Sequence, residues 1–337
     1  MAPQAPAITC WLLDTRSLWP GDRIAEAAPE ALKLISPEER EACCRKFHIQ
    51  DARNSLASAL LKRLFIAKTT GTPWKDIRFG RKGDPVHGKP CFAPLDGSPS
   101  PIEFNISHQA GLVALVGAAT PDIEVGVDIV CVNERDEYRT IDKEGLDGFV
   151  EMYEDVFSQE ELWDMKYNVD TVTLLDGTEL TSQDLGRHDR CVASDRQISL
   201  ALPNGERVSF VSDQIIDAKL RRFYSFYCYK EAYIKLDGEA LLAKWIRELE
   251  FKHVRAPKPG TVARCSTIGT WGEKVNDVEV WLKNKKLDDM VMQLQSFEEN
   301  FMIGVAAKSA KAEIKLEIPH FRSLHLEHDV MEFATMK

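Results

Sequence analysis

The chain contains no run of 18 or more apolar residues, so no transmembrane helix is expected. It contains no Cys-x-x-Cys pair. Its eight cysteines, Cys10, Cys43, Cys44, Cys91, Cys131, Cys191, Cys228 and Cys265, are scattered and match no zinc spacing. Structural thiols in a reducing cytoplasm are the expectation. Met1 to Trp11 lacks a basic region followed by an apolar stretch, so no secretory signal is expected. No Gly-x-Ser-x-Gly frame is present, which removes a common setting for a nucleophilic serine. An excess of positive charge is also missing. The net charge is −10, which argues against a nucleic-acid-coating protein. What remains is a 337-residue chain with 44% hydrophobic and 28% charged residues, an ordinary globular composition. It makes one large domain or two small ones and can bury a core without disulfides.

The charge is unevenly spread. Arg40 to Lys89 holds twelve Lys/Arg against four Asp/Glu, and Pro121 to Lys166 holds four against fifteen. A basic segment beside an acidic one suits a site that holds a small anionic substrate, and equally a pair of solvated helix faces.

Ser36-Pro37-Glu38-Glu39 and Ser158-Gln159-Glu160-Glu161 both read as capping-box helix starts. Leu56, Leu60 and Leu64 repeat every four residues and predict an amphipathic helix over Asp51–Lys68, ended by Gly71-Thr72-Pro73. A second long helix is expected over Ile216–Leu236, closed near Gly238. Strands are expected at Ile77–Phe79, Ile102–Ile106, Leu112–Gly117, Val125–Val130, Leu249–Phe251, Val278–Leu282 and Met302–Ala306. Gly83–Pro90 reads as a loop and Ser107–Gly111 as a tight connection. Residues 168–214 are polar and turn-rich and read as an insertion, with Thr171–Leu175 and Val208–Val211 as strands that could pair. The chain after Lys308 is a charged tail. The order of elements gives an α+β layout.

Four groups of residues could carry chemistry. Asn105-Ile106-Ser107-His108-Gln109-Ala110-Gly111 offers hydroxyl, imidazole and turn-amide donors to an anion, or is a hydrogen-bonded turn. Asp128 in Gly126-Val127-Asp128-Ile129 is a carboxylate on an apolar strand, which is costly to bury unless paired or metal-bound. It could also sit at an exposed strand end. Tyr227, Glu231 and Lys235 lie four apart on one helix face; Glu231 and Lys235 also have the spacing of a helix salt bridge. Gly88-Lys89-Pro90 fixes a loop around one cation.

In this order and spacing the four groups resemble the 4′-phosphopantetheinyl transferases of the larger, Sfp-like type, above all their broad-range fungal members. Ser55-Leu56-Ala57-Ser58, Pro73-Trp74, Val130 through Arg135, and Lys230 through Ala243 with Trp245 add to the likeness. It spans about Ser36 to Phe251, apart from the insertion.

The resemblance implies an enzyme, a holo-[acyl-carrier-protein] synthase that moves the phosphopantetheine arm of coenzyme A onto a carrier-protein serine and releases adenosine 3′,5′-bisphosphate. It implies two similar α+β halves in pseudo-two-fold arrangement, with coenzyme A and Mg²⁺ in the cleft between them. Residues 1–120 would form the first half, 121–310 the second with the insertion, and 311–337 a tail. Asp128 and Glu231 match the family's metal carboxylates, and Glu231, or a water it orients, would take the serine proton. Lys235 and His108 match phosphate contacts, with Ser107 beside them. Lys89 and Pro90 match the loop beside the adenine, and Arg40, Arg45 and Arg53 are candidates for the 3′-phosphate. Lys230 would be structural. Partners would be carrier domains of fatty acid synthase, polyketide synthase, nonribosomal peptide synthetase or aminoadipate reductase, which are acidic around the target serine. No nucleic acid and no membrane are expected, and a monomer is.

Two positions depart from the family pattern. Many relatives carry Glu where this chain has Val130, so Gln109 or a water would complete the metal set, and Val130→Glu is expected to be tolerated or to alter metal preference. Tyr227 stands where the family has Trp. The alternatives are a catalytically impaired module that binds coenzyme A or a carrier protein, and a metal-dependent pyrophosphatase.

Overall fold

The computed structural model describes residues 8–84, 88–133, 137–190, 193–238, 243, 245–260, 268–311 and 316–336. Cys191, Cys265, Glu134, Arg135 and residues 239–242 and 244, all named above, lie outside the described residues. The chain runs β1 (Ile8–Asp14), α1 (Pro37–Cys44), α2 (Ile49–Thr70), β2 (Phe79–Lys82), β3 (Lys89–Phe92), β4 (Glu103–Gln109), β5 (Leu112–Ala118) and β6 (Ile123–Cys131). It continues with α3 (Gln159–Tyr167), α4 (Asp213–Asp237), β7 (Trp271–Val275), β8 (Met290–Phe297), β9 (Phe301–Ser309) and β10 (Arg322–Ser323). Helix and strand are mixed, as an α+β chain requires.

Two four-stranded sheets carry the fold, in the orders β10-β1-β5-β4 and β7-β8-β9-β6. Period-two alternation decides their layers, because successive strand residues face opposite sides. Ile8, Cys10 and Leu12 of β1 and Leu112, Ala114 and Val116 of β5 pack against Val125, Val127 and Ile129 of β6 and Ile303 and Val305 of β9. The two sheets therefore meet face to face. Trp11, Leu13, Val113 and Leu115 point the other way, onto Leu56, Leu60, Leu64 and Phe65 of α2. Val130, Met292, Leu294, Met302 and Ala306 point away from the seam of the second sheet onto Ile216, Leu220, Phe223 and Ala232 of α4. The layers are helix, sheet, sheet, helix. Each fully buried Leu or Phe contributes about 1.5–3 kcal/mol, so the helices are held mainly by these faces.

Both predicted capping boxes form: Ser36 accepts from the Glu39 amide, and Ser158 from the Glu161 amide. Both long helices end on glycines at positive φ, Gly71 and Gly238. Several expectations change. Strands β1, β7 and β8 were not foreseen. The sequence predicts Ile77–Phe79, but the strand is Phe79–Lys82, preceded by a 3₁₀ turn at Trp74–Asp76. In the insertion, Thr171–Thr173 pairs with Glu179–Thr181 and Arg207–Val211 with Gln197–Ala201, so the two expected strands do not pair with each other. Two local hairpins close short loops where one long-range pairing would have closed a long one. Val172, Leu180, Ile198, Leu200 and Phe210 give them a small core of their own.

The charged tail is not separate either. β10 pairs in parallel with Trp11 and Leu12 of β1, and Leu324, Leu326, Val330 and Ala334 join the α2 cluster. Apolar residues at this spacing give the tail a face to bury, and the open edge of β1 gives it a strand to pair with.

Candidate active site

β4 is the last strand of the first sheet and β6 the last of the second, and the two edges adjoin. An edge strand leaves backbone groups to be satisfied. Here a side chain of β4 and one of the β2–β3 hairpin satisfy them. The Val127 amide donates to Asn105 Oδ1 (3.1 Å), and Lys89 Nζ donates to the Val125 carbonyl (2.7 Å). Lys89 also lies 3.9 Å from the buried Glu103. Asn105 Nδ2 donates to the Lys235 carbonyl (3.3 Å), which ties the end of α4 to the same seam.

Asp128 follows on β6, 5% exposed. It shares the face of Val130, toward α4. Gly126, two residues earlier, makes this placement possible. A Cβ there would strike the Ala232 carbonyl and the Leu236 backbone, so only glycine lets α4 rest on the strand. At that depth α4 brings Lys235 onto Asp128: Lys235 Nζ donates to Asp128 Oδ1 (2.5 Å) and to Ser107 Oγ (2.9 Å). Ser107 Oγ in turn donates to Asp128 Oδ1 (3.1 Å). Burial would lower the Lys235 pKa, but the adjacent Asp128 carboxylate outweighs it and holds the ammonium above its ordinary value. Glu231, one turn before Lys235, acts on the same ammonium in the same sense. Burial, and then the charges of the two carboxylates, hold the Cys228 thiol well above its ordinary pKa.

The first sheet supplies the other wall. The sequence reads Ser107–Gly111 as a connection, but β4 runs on through Gln109. Ala110 and Gly111 alone make the turn, both at positive φ. Ser107 is therefore buried on the strand, while His108 is exposed beside it. Desolvation of its ring and then the Lys235 charge hold the His108 pKa below its usual value, so the imidazole is a neutral donor at pH 7. Lys46 and Asp51 also act on His108. Lys46 was missed, although it lies inside the basic stretch.

Other predicted residues are placed differently from the expectation. Lys89 and Pro90 lie on β3, paired with Lys82 and Arg81, and not in a loop. Burial, followed by the Lys82 charge, pushes the Lys89 pKa down to about 8. Arg40 donates to the Leu32 carbonyl, Arg45 pairs with Glu41, and Arg53 donates to the Trp19 carbonyl. The structure thus gives all three arginines partners within the protein. Lys230 is structural: it is 1% exposed and donates to Glu161 Oε2 (2.9 Å) and the Val156 carbonyl (2.9 Å). Burial pushes both members of that pair toward neutrality, Glu161 upward and Lys230 downward. Val130 is 2% exposed within the apolar α4 cluster. A glutamate there would be a buried charge among apolar side chains, so the expected tolerance of Val130→Glu gives way to destabilisation. Tyr227 joins an aromatic group with Tyr153 and Phe223.

Asp128, Glu231 and the amide oxygen of Gln109 are hard oxygen donors of the kind Mg²⁺ takes. Among the described residues no group of three or more His, Cys, Asp or Glu could hold a metal. Asp128 and Glu231, both acting on the Lys235 ammonium, are the two carboxylates open to such an ion, which would need phosphate and water to complete its shell. Asp128, Lys235 and Ser107 meet here, with Glu231 and His108 within electrostatic reach of the lysine, a set suited to phosphoryl chemistry on an anion. No helix among the described residues is long and apolar enough to cross a membrane.

Residues 24–120 match a family model described as 4′-phosphopantetheinyl transferase, N-terminal. The chain is 60% identical to a 4′-phosphopantetheinyl transferase of Aureobasidium melanogenum over 333 residues, which covers 97% of this chain and 98% of the other. It is 34% identical to 4′-phosphopantetheinyl transferase A of Aspergillus fumigatus, covering 90% and 84%. It is 31% identical to 4′-phosphopantetheinyl transferase NpgA of Emericella nidulans, covering 99% and 96%.

Proposed function

This chain belongs to the 4′-phosphopantetheinyl transferases, and we propose that it transfers phosphopantetheine from coenzyme A to carrier-protein serines at the seam of β4, β6 and α4. The observation that carries the site assignment is the convergence of Lys235, Asp128 and Ser107 from three elements on one point.

The reaction joins the serine oxygen to the phosphorus that bears pantetheine and breaks the bond from that phosphorus to the bridging pyrophosphate oxygen. The products are holo-carrier and adenosine 3′,5′-bisphosphate. Asp128 and Glu231, with Gln109, would hold Mg²⁺, which when bound neutralises the pyrophosphate. Glu231 accepts the serine proton, directly or through a water. Lys235, kept charged by Asp128, faces the leaving oxygen and stabilises its negative charge. His108 and Ser107 donate hydrogen bonds to phosphate oxygens. From the basic stretch, Arg40 or Arg53 takes the 3′-phosphate. Lys89 supports the adenine side through the seam it clamps.

The two helix-covered sheets act as two similar halves in pseudo-two-fold arrangement with coenzyme A between them. The first is built from residues 1–120 and completed by the C-terminal segment; the second is residues 121–310. One chain holds both walls of the cleft, so the active form is a monomer in the cytoplasm. Carrier domains of fatty acid, polyketide and nonribosomal peptide synthases and of aminoadipate reductase are the substrates.

Intact mass spectrometry of an apo-carrier incubated with the chain, coenzyme A and Mg²⁺ tests the reading. A gain of one phosphopantetheine, abolished by EDTA, is expected. No gain on any carrier class, with coenzyme A still bound, would overturn the reading in favour of a binding module.

A further inference from the structure

We infer that Phe47 is an anchor for the carrier protein at the lip of the site, an inference that rests on the function proposed above. Phe47 is 93% exposed, alone among the phenylalanines of the described residues, and joins none of the hydrophobic clusters among them. Its ring stands edge-on to His48 at 4.9 Å and 89°. It lies in the short link between α1 and α2, flanked by the exposed Arg45, Lys46 and His48.

The link borders the chemistry. Gln50, three residues on from Phe47, lies against Gly111 in the turn that ends β4, the strand whose Ser107 holds Lys235. An aromatic side chain beside two cations, Arg45 and Lys46, has the composition of an interface anchor with a polar rim. Its occupant must approach the same mouth as coenzyme A from the solvent side. The carrier protein does so, because it has to deliver its serine there. Acidic groups around that serine complement Arg45 and Lys46, and an apolar side chain among them covers Phe47. The chain's net charge of −10 would repel an acidic partner elsewhere, so a local basic and aromatic patch is the surface left for docking.

The test is steady-state kinetics of wild type, Phe47→Ala and Phe47→Leu. The carrier is varied at saturating coenzyme A, and then coenzyme A at saturating carrier. Phe47→Ala is expected to raise the KM for carrier about five-fold or more and leave kcat and the KM for coenzyme A unchanged, with Phe47→Leu between. Calorimetric titration of a carrier whose target serine is replaced by alanine should show the same loss in Kd. An unchanged carrier KM and Kd in an active enzyme would overturn the docking role alone. A rise in the KM for coenzyme A instead would assign the ring to the nucleotide and overturn it as well. A wild type inactive on every carrier would overturn the transferase reading itself.

Discussion

Two long helices cover the two sheets in the same manner and carry different things. α2 lays Leu56, Leu60, Leu64 and Phe65 on the first sheet, and α4 lays Ile216, Leu220, Phe223 and Ala232 on the second. Each needs a glycine beneath it: Gly117 of β5 makes room for the Phe65 ring, and Gly126 of β6 makes room for the α4 backbone. The difference lies in what each glycine admits. At Gly117 the neighbour is a side chain in a core. At Gly126 it is the helix backbone itself, and the closeness sets Lys235 on Asp128. One layer uses its close contact for packing alone, and the other uses it to bring together the residues proposed to do the chemistry. The first layer still contributes to the site, but through its edge strand and not through its helix.

The largest expected effect comes from removing the acid on the second layer. Asp128→Ala should lower transfer about a thousand-fold or more, since it removes the proposed metal carboxylate and the group that keeps Lys235 charged. Mass-resolved rates at saturating Mg²⁺ check this. Val130→Glu places an unpaired charge in the α4 core and should cost about 3–5 kcal/mol, read by urea denaturation. A stable Val130→Glu protein would contradict the packing of that face. The glycine pair breaks the comparison directly. Gly117→Ala and Gly126→Ala should each cost about 1–3 kcal/mol, but only Gly126→Ala should also lower kcat, at least ten-fold. Equal loss of kcat in both would show that the layers are not divided as argued.

The smallest effect is a slope with pH. Folded Lys89 titrates near 8, against an ordinary 10.5. Between those values the unfolded chain binds more protons, so stability rises with pH. Lys89 should contribute about 1 kcal/mol between pH 8 and pH 9. Lys89→Met should show that much less increase in its denaturation midpoint energy than wild type.

Legibility in the sequence followed the range of the interaction. The capping boxes at Ser36 and Ser158, and the parity that sets Asp128 and Val130 on one face of β6, are local and could be read directly. Glu231 and Lys235 were assigned to one helix face by their spacing. That Lys230 and Lys235 differ in role follows from the same geometry: five residues apart, they point to different sides, one into the Glu161 pair and one to Asp128. What could not be read is which edges meet. Nothing local in β4 says that Asn105 will take the amide of Val127, or that the tail will return to pair with β1. Sheet pairing depends on partners far along the chain, and the register is set only when the faces pack. For the same reason the strand character of Ser107 and Lys89 was hidden behind turn-like neighbours.

The central claim is that proton removal and charge stabilisation reside on the face of α4 that meets β6. The most direct measurement is the single-turnover rate of phosphopantetheine transfer by Glu231→Gln, at saturating coenzyme A, carrier and Mg²⁺. The account predicts a fall of about a thousand-fold with an unchanged denaturation midpoint. Transfer at the wild-type rate would contradict it.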